Sequence, residues 1–434
     1  MTREAIKVFP SDGLRGELSV PGDKSISHRA VIMASIATGT SVISGFLEGE
    51  DNMRTVEAFR AMGVRMERPS PSELSIEGVG MHGLREPDDV LYAGNSGTTA
   101  RLMAGLLAPQ PFFSVITGDD SLRKRPMKRV VGPLSLMGAS IAGRAGGEYL
   151  PIAINGNGLR GISYTTPVAS AQLKSALLLA GLYAEGETVI EEPRRSRDHT
   201  ERMLRLFGAR LDSEGTRVTV RKTDELKART LHIPGDISSA AFFIVGALVT
   251  PGSELVIKGV GLNPTRCGVI DILRKMGAAI DVLNATDDWE PSGDILVRSS
   301  ELRGVEIDGA ELLPAIDEFP VLCVAASFAR GSTTIRGAGE LRVKESDRIA
   351  VMSEVLGNTG VETEELEDGI VIKGAGGGGR IEGGSVSSHG DHRIAMAMAV
   401  AGLRSRNGVE IEDPGCVDVS FPGFFDSLDR VASR

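Results

Sequence analysis

Cations stand where helix physics disfavours them. Residues 21–30 read "PGDKSISHRA", an Asp opening an apolar helical run into which Lys24 and Arg29 intrude, although the positive end of a helix dipole favours carboxylates. Further basic clusters read "RKRPMKR" at 123–129, "RRSR" at 194–197 and "RVKESDR" at 342–348. On a chain whose formal net charge is −10, local basic spots point to small anions as partners. Helix N-termini add unpaired N–H groups and positive dipole, so they bind anions readily. Candidate groups open several helices: Lys24, Ser25 and Arg29; Asn95, Ser96, Gly97 and Thr98; Ser170 and Gln172; Asp317; and His392 with Arg393. Arg125 is expected at another helix entrance, with Pro126 in the first helical position.

Carboxylates among these cations would turn binding into proton transfer. Glu345 lies three residues before Arg348, and Lys344 and Arg348 are spaced i,i+4, which on a helix sets like charges side by side until an anion lies between them. One cation group around Lys24, Arg197 and Lys344, and a second around Arg125, Arg348 and Arg393, would suit two anionic substrates held together. That is a transferase layout. Each signal alone has an ordinary structural reading: a solvated Lys24, a Glu345–Arg348 surface pair, a structural His392, an Asp317-Glu318 acidic cap, and "GNSGTT" as a capped helix start without the P-loop pattern. "GAGGGGR" at 374–380 reads as a turn between strands, not a dinucleotide fingerprint. Recurrence at equivalent places favours function. Six scattered His and the lack of CxxC or HExxH give no metal site, and no cofactor is expected.

The elements that must position these groups repeat. Six copies share a small or polar opening, a helix of small apolar residues, Gly, a β-rich run, a loop, an amphipathic helix, then Gly and another strand. They open near residues 22, 95, 168, 235, 317 and 390. "LSVPGDKS" at 18–25 and "LHIPGDIS" at 231–238 resemble each other and read as two crossings of one domain boundary. The expected organisation is α/β (α+β): a discontinuous domain, 1–20 plus 235–434, and an inserted domain, 21–234, with the active site in the cleft between them. At 434 residues, 41% apolar and 24% charged, the composition is that of a globular protein. The segment "MTREAIKVFPSDG" lacks signal or transit character, no run could span a membrane, and three scattered cysteines fit a reducing cytoplasm. Acidity and 4% aromatics argue against nucleic acid.

The ordered motifs "PGDKSISHRA", "GNSGTTARLM", "KRPMKRV", "SAQLKSALLLAGL", "RDHTERML", "NPTR", "RVKESDRI" and "GDHRIAMA" resemble those of the 5-enolpyruvylshikimate-3-phosphate synthase family, from about residue 15 to 425. "GDKS", "SAQLK", "RDHTE" and "NPTR" are similar to its class II group. The resemblance implies an inside-out βα barrel of six βαβαββ repeats, pseudo-threefold in each domain. It implies transfer of enolpyruvate from phosphoenolpyruvate to shikimate 3-phosphate by a monomer, without cofactor. Shikimate 3-phosphate would be held by Lys24, Ser25, Arg29, Ser170, Ala171, Gln172, Arg197, Asp317 and Lys344. Phosphoenolpyruvate would meet Lys24, Asn95, Gly97, Arg125, Gln172, Glu345, Arg348 and Arg393, since the Arg fork suits carboxylate and phosphate. Asp317 would be the base, with Glu345 and Lys24 the acid candidates. Departures from the family pattern are Ala171 for Ser, Glu340 for Asn and Val419 for Lys, the last removing one possible phosphoenolpyruvate contact. Two alternatives are weighed. The related UDP-N-acetylglucosamine enolpyruvyl transferase needs a Cys that "VITGDDSLRKRPMK" lacks, and a non-catalytic anion-binding scaffold has no use for Asp317 and Glu345.

Overall fold

A computed structural model describes residues 5–376 and 378–433; residues 1–4, Gly377, on which part of the "GAGGGGR" expectation falls, and residue 434 lie outside it. The chain divides into two compact units, Met1–Pro21 with Pro234–Arg434, and Gly22–Ile233.

Gly22–Ile233 carries three four-stranded sheets of one pattern: a short strand parallel to a second, which pairs antiparallel with a third, which pairs antiparallel with a fourth. In the middle sheet, Leu91–Tyr92 runs parallel to Phe113–Thr117, followed by Tyr149–Asn155 and Ser140–Gly143. The first sheet takes its short strand, Thr230–His232, from the end of the unit, where it lies parallel to Thr38–Ser44. The third is Ser163–Thr165, Glu187–Glu191, Arg217–Arg221 and Leu211–Glu214. Three inner helices, Lys24–Ser35, Gly97–Leu107 and Ala171–Gly181, are buried almost throughout, with their charged side chains satisfied by partners. Small residues let them meet closely. A Cβ on Gly105 would stand 2.1 Å from the Ala176 carbonyl oxygen.

The discontinuous unit repeats the plan with two strands borrowed from its N-terminal segment. Gly13–Ser19 lies parallel to Glu254–Gly261, in a sheet continued by Ser292–Arg298 and Ala279–Thr286. Ala5–Val8 pairs antiparallel with Val409–Glu412, itself parallel to Gly384–Ser387. The remaining sheet is Glu306–Ile307, Ser332–Ile335, Gly369–Lys373 and Glu362–Leu366. Its inner helices are Ile237–Val249, Phe319–Ser327 and His392–Gly402.

Outer helices are amphipathic in both units. Thr200, Met203, Leu204 and Phe207 form the buried stripe of His199–Phe207, and Val269, Ile272 and Leu273 that of Gly268–Lys275, with the spacing of one helix face. The six inner helices start alike. Asp23, Ser96, Ser170, Asp236 and Asp391 each accept a bond from a backbone N–H of the first turn, and Phe319–Ser327 has Pro320 there instead. Such caps satisfy donors that the helix itself cannot.

Candidate active site

In the contiguous unit, the groups at the helix starts converge through side-chain bonds. Lys24 opens its helix and places Nζ 2.6 Å from Asp51 Oδ2, and Asn52 Nδ2 donates to the Lys24 carbonyl at 3.0 Å. Arg29, one turn on, is enclosed: Nε donates to Thr200 Oγ1 (2.6 Å), Nη1 to the Ser25 carbonyl (2.9 Å) and Nη2 to Ser175 Oγ (2.8 Å). Arg197 approaches from its own turn, with Nη1 3.5 Å from Ser25 Oγ. Ser25, Arg29 and Arg197 therefore share one neighbourhood.

A second cluster surrounds the start of Gly97–Leu107. Arg125 Nη2 donates to Asn95 Oδ1 (2.6 Å) and Ser121 Oγ (3.1 Å), and its Nη1 to the Asn95 carbonyl (3.3 Å). Gln172 bridges onward, accepting from Arg101 Nη1 at 2.7 Å and donating to Thr98 Oγ1 at 3.0 Å. A Cβ on Gly97 would stand 2.6 Å from Arg101 Nη1 and would push that guanidinium aside. Beneath, a chain of bonds runs from His28 Nδ1 to Thr55 Oγ1 (2.7 Å), to Thr99 Oγ1 (2.8 Å) and to Ser96 Oγ (2.7 Å). Burial, and then the charges of Lys24 and Arg29, hold His28 well below the ordinary imidazole range.

In the discontinuous unit an ion network joins the remaining candidates. Arg348 Nη2 donates to Glu345 Oε2 at 2.7 Å, its Nε to Asp391 Oδ2 at 2.8 Å, and its Nη1 lies 3.6 Å from Asp317 Oδ1. Arg393 Nη1 donates to the Asp317 carbonyl at 3.1 Å, and Arg266 Nη1 lies 3.7 Å from Asp317 Oδ2. Burial works against the Arg348 charge, but Asp391 and Glu345 more than offset it, and its pKa rises above the ordinary arginine value. Lys344 behaves oppositely. Desolvation pulls its pKa below the ordinary lysine value even though Asp317 and Glu345 pull it up. Burial raises Glu318 against the opposing pull of Arg266 and Arg393, while Ser238 Oγ donates to its carboxylate.

Two local expectations fail. Residues 344–347 are not helical: a 3-10 turn, Gly339–Val343, ends at Lys344, and the helix Arg348–Asn358 begins only after its cap Asp347. Lys344 and Arg348 are therefore not an i,i+4 helical pair, and the turn, not helix pitch, brings Glu345 to Arg348. Pro126 is not the first residue of a helix either. Arg125 is extended behind the 3-10 turn Leu122–Lys124, and the next helix, Lys128–Leu136, is preceded by Met127. The guanidinium serves the start of Gly97–Leu107 instead. Each expected cation group also draws on both units, Lys344 belonging to one and Lys24 and Arg197 to the other, just as Arg348 and Arg393 are separated in the chain's division from Arg125.

Sequence reading missed Asp51, Arg101, Arg266 and Asp391, the partners of Lys24, Gln172, Asp317 and Arg348. The signal for Asp391 is the Asp that recurs before inner helices at 23 and 236. Arg266 stands in the quoted "NPTR", but only tertiary contact gives it a partner. Ala171 is the first residue of its helix, Glu340 lies in the turn Gly339–Val343, and Val419 ends the 3-10 turn Pro414–Val419. Among the described residues no cluster of His, Cys, Asp or Glu could hold a metal ion, and no helix is long and apolar enough to cross a membrane.

This architecture is the enolpyruvyl transferase fold. The enolpyruvyl transferase NikO from Streptomyces tendae shares it, with a TM-score of 0.79 over 98% of this chain and 97% of that one at 15% identity. A solved EPSP synthase from Acinetobacter baumannii matches at a TM-score of 0.90 and 47% identity, covering 99% of this chain and 98% of that one. Residues 8–428 match the family described as EPSP synthase (3-phosphoshikimate 1-carboxyvinyltransferase), and the chain belongs to that family. Proteins named 3-phosphoshikimate 1-carboxyvinyltransferase from Geotalea uraniireducens (58% identity, 98% of each chain) and Geobacter metallireducens (56%, 99% of this chain and 100% of that one) are similar throughout. Enolpyruvyl transfer is its activity, and the alternatives of a different acceptor or a passive scaffold give way to it.

Proposed function

We propose that the chain transfers the enolpyruvyl group of phosphoenolpyruvate to the 5-hydroxyl of shikimate 3-phosphate with the residues assembled above, acting as a monomer. The observation that carries the reading is Arg348, held by Asp391 and flanked by two further carboxylates, Glu345 at 2.7 Å and Asp317 at 3.6 Å. A simple anion binder gains nothing from acids beside its cations, whereas this reaction moves protons twice.

In the addition step, Asp317 takes the proton of the 5-hydroxyl as its oxygen bonds to C2 of phosphoenolpyruvate. Glu345, with Lys24 sharing the donor role, protonates the methylene carbon. The resulting tetrahedral adduct loses a proton from its methyl group as the C2–O bond to phosphate breaks, which restores the enol ether and releases phosphate. Shikimate 3-phosphate rests on Lys24, Ser25, Arg29, Ser170, Ala171, Gln172 and Arg197, with Ser170 and Arg197 near its phosphate, and Asp317 and Lys344 belong to the same substrate. Phosphoenolpyruvate is assigned Lys24, Asn95, Gly97, Arg125, Gln172, Glu345, Arg348 and Arg393. Both units of the chain thus serve one reaction, as a discontinuous and an inserted domain.

Phosphate release should require both substrates together; release with phosphoenolpyruvate alone would contradict the reading. Glu345→Gln should lower kcat by about a hundredfold or more with smaller changes in either KM. Unchanged turnover would remove Glu345 from the chemistry.

A further inference from the structure

Two motifs, "SAQLK" and "RDHTE", contain Lys174 and Glu201, to which the reaction above gives no task. The structure buries both. Lys174 Nζ lies 2.7 Å from Glu201 Oε1 and 2.7 Å from Glu192 Oε2, with all three side chains no more than 2% exposed. Burying one ammonium with two carboxylates is costly unless good bonds repay it, so the triad calls for a reason.

The reason lies in what its outer atoms hold. Glu192 Oε1 accepts from the backbone N–H of Ser170 at 3.2 Å, and Oε2 from that of Ser196 at 3.3 Å. Lys174 Nζ donates to the Ser196 carbonyl at 3.4 Å. The peptide groups of Ser196 are therefore gripped on both sides, immediately before Arg197, and the same carboxylate fixes Ser170, the cap of Ala171–Gly181. Only a carboxylate can do this. It accepts at both oxygens, whereas an amide at 192 would turn an NH2 group towards one of two N–H donors.

We infer that Glu192, held in place by Lys174 and Glu201, is a positioning residue that sets the spacing between Ser170 and Arg197 and so fits the pair to the phosphate of shikimate 3-phosphate. The inference rests on the proposed role of Ser170 and Arg197 as phosphate ligands. It makes the triad weigh mainly on one substrate: of the groups proposed for phosphoenolpyruvate, Gln172, shared with shikimate 3-phosphate, is the one on the helix that Ser170 caps.

The test measures shikimate 3-phosphate binding by calorimetry, and steady-state KM and kcat for both substrates, in the full chain. Glu192→Gln should weaken shikimate 3-phosphate about tenfold and leave the phosphoenolpyruvate KM within twofold. Glu191→Gln, whose neighbouring carboxylate binds Thr216, should change neither. Arg197→Ala tests the underlying reading. If it leaves shikimate 3-phosphate binding unchanged, that reading and this inference fall together; if it weakens binding while a folded Glu192→Gln does not, this inference alone is overturned. Equal loss for both substrates, with a lowered Tm, would mean a merely structural triad and would also overturn it. Should Glu192→Gln not fold, hydrogen exchange on the unaltered protein decides: the Ser170 and Ser196 amides should be protected before substrate is added, and rapid exchange at both would refute the clamp.

Discussion

At the scale of single residues, several cations that look misplaced along the chain are matched to an acceptor. Lys24 has Asp51, Arg125 has Asn95 and Arg348 has Asp391. Arg125→Ala should mainly raise the KM for phosphoenolpyruvate, and an effect confined to shikimate 3-phosphate would contradict its placement. Lys344 adds a pH signature. Its pKa is lowered by burial, so activity that needs the ammonium is lost as pH rises through that lowered value. Lys344→Arg should move this alkaline limb upward, because a guanidinium keeps its charge; an unmoved limb in the rate profile would assign it elsewhere. His28 bears on stability instead. Its folded pKa is depressed, so below about pH 6.5 the unfolded chain takes up a proton that the folded chain refuses, and stability falls by about 1.4 kcal/mol per pH unit. Urea unfolding of His28→Asn should show a slope shallower by that amount, since an amide does not titrate.

At the scale of elements, the site is a set of capped helix starts, and caps that double as ion partners carry the most weight. Asp391 accepts from the Arg393 amide and also holds the enclosed Arg348 guanidinium. Asp391→Ala removes both and leaves a buried cation without its main counter-charge, which should cost about 3–5 kcal/mol. Asp391→Asn keeps a cap acceptor but loses the charge, so it should cost less than Asp391→Ala; equal losses in chemical denaturation would show that the cap adds nothing beyond the charge. Much at this scale is legible in the sequence. The small apolar helices, their Asp or Ser openings and the amphipathic partners follow from composition and period. The tight turns before Arg125 and Arg348 are not legible, because a 3-10 turn leaves no periodicity, and i,i+4 spacing suggests a helix whether or not one forms.

At the scale of the whole chain, the two units differ in how they close. Every sheet of Gly22–Ile233 is paired from within, whereas the other unit borrows Ala5–Val8 and Gly13–Ser19. Residues 22–233 expressed alone should therefore melt cooperatively. Leu14, fully buried on the borrowed strand beside Gly246, is a sensitive point: Leu14→Ala should cost about 2–5 kcal/mol, and a change below about 0.5 kcal/mol would show that this strand adds little.

From order and type alone, the chain determined its six repeats and its helix starts, because hydrophobic period and capping are local properties. Its motifs also carried the family. Which charge meets which was decided only in three dimensions. Asp51, Arg101, Arg266 and Asp391 acquire their partners from segments far away in sequence, and electrostatic pairing depends on distance in space, which no local pattern records.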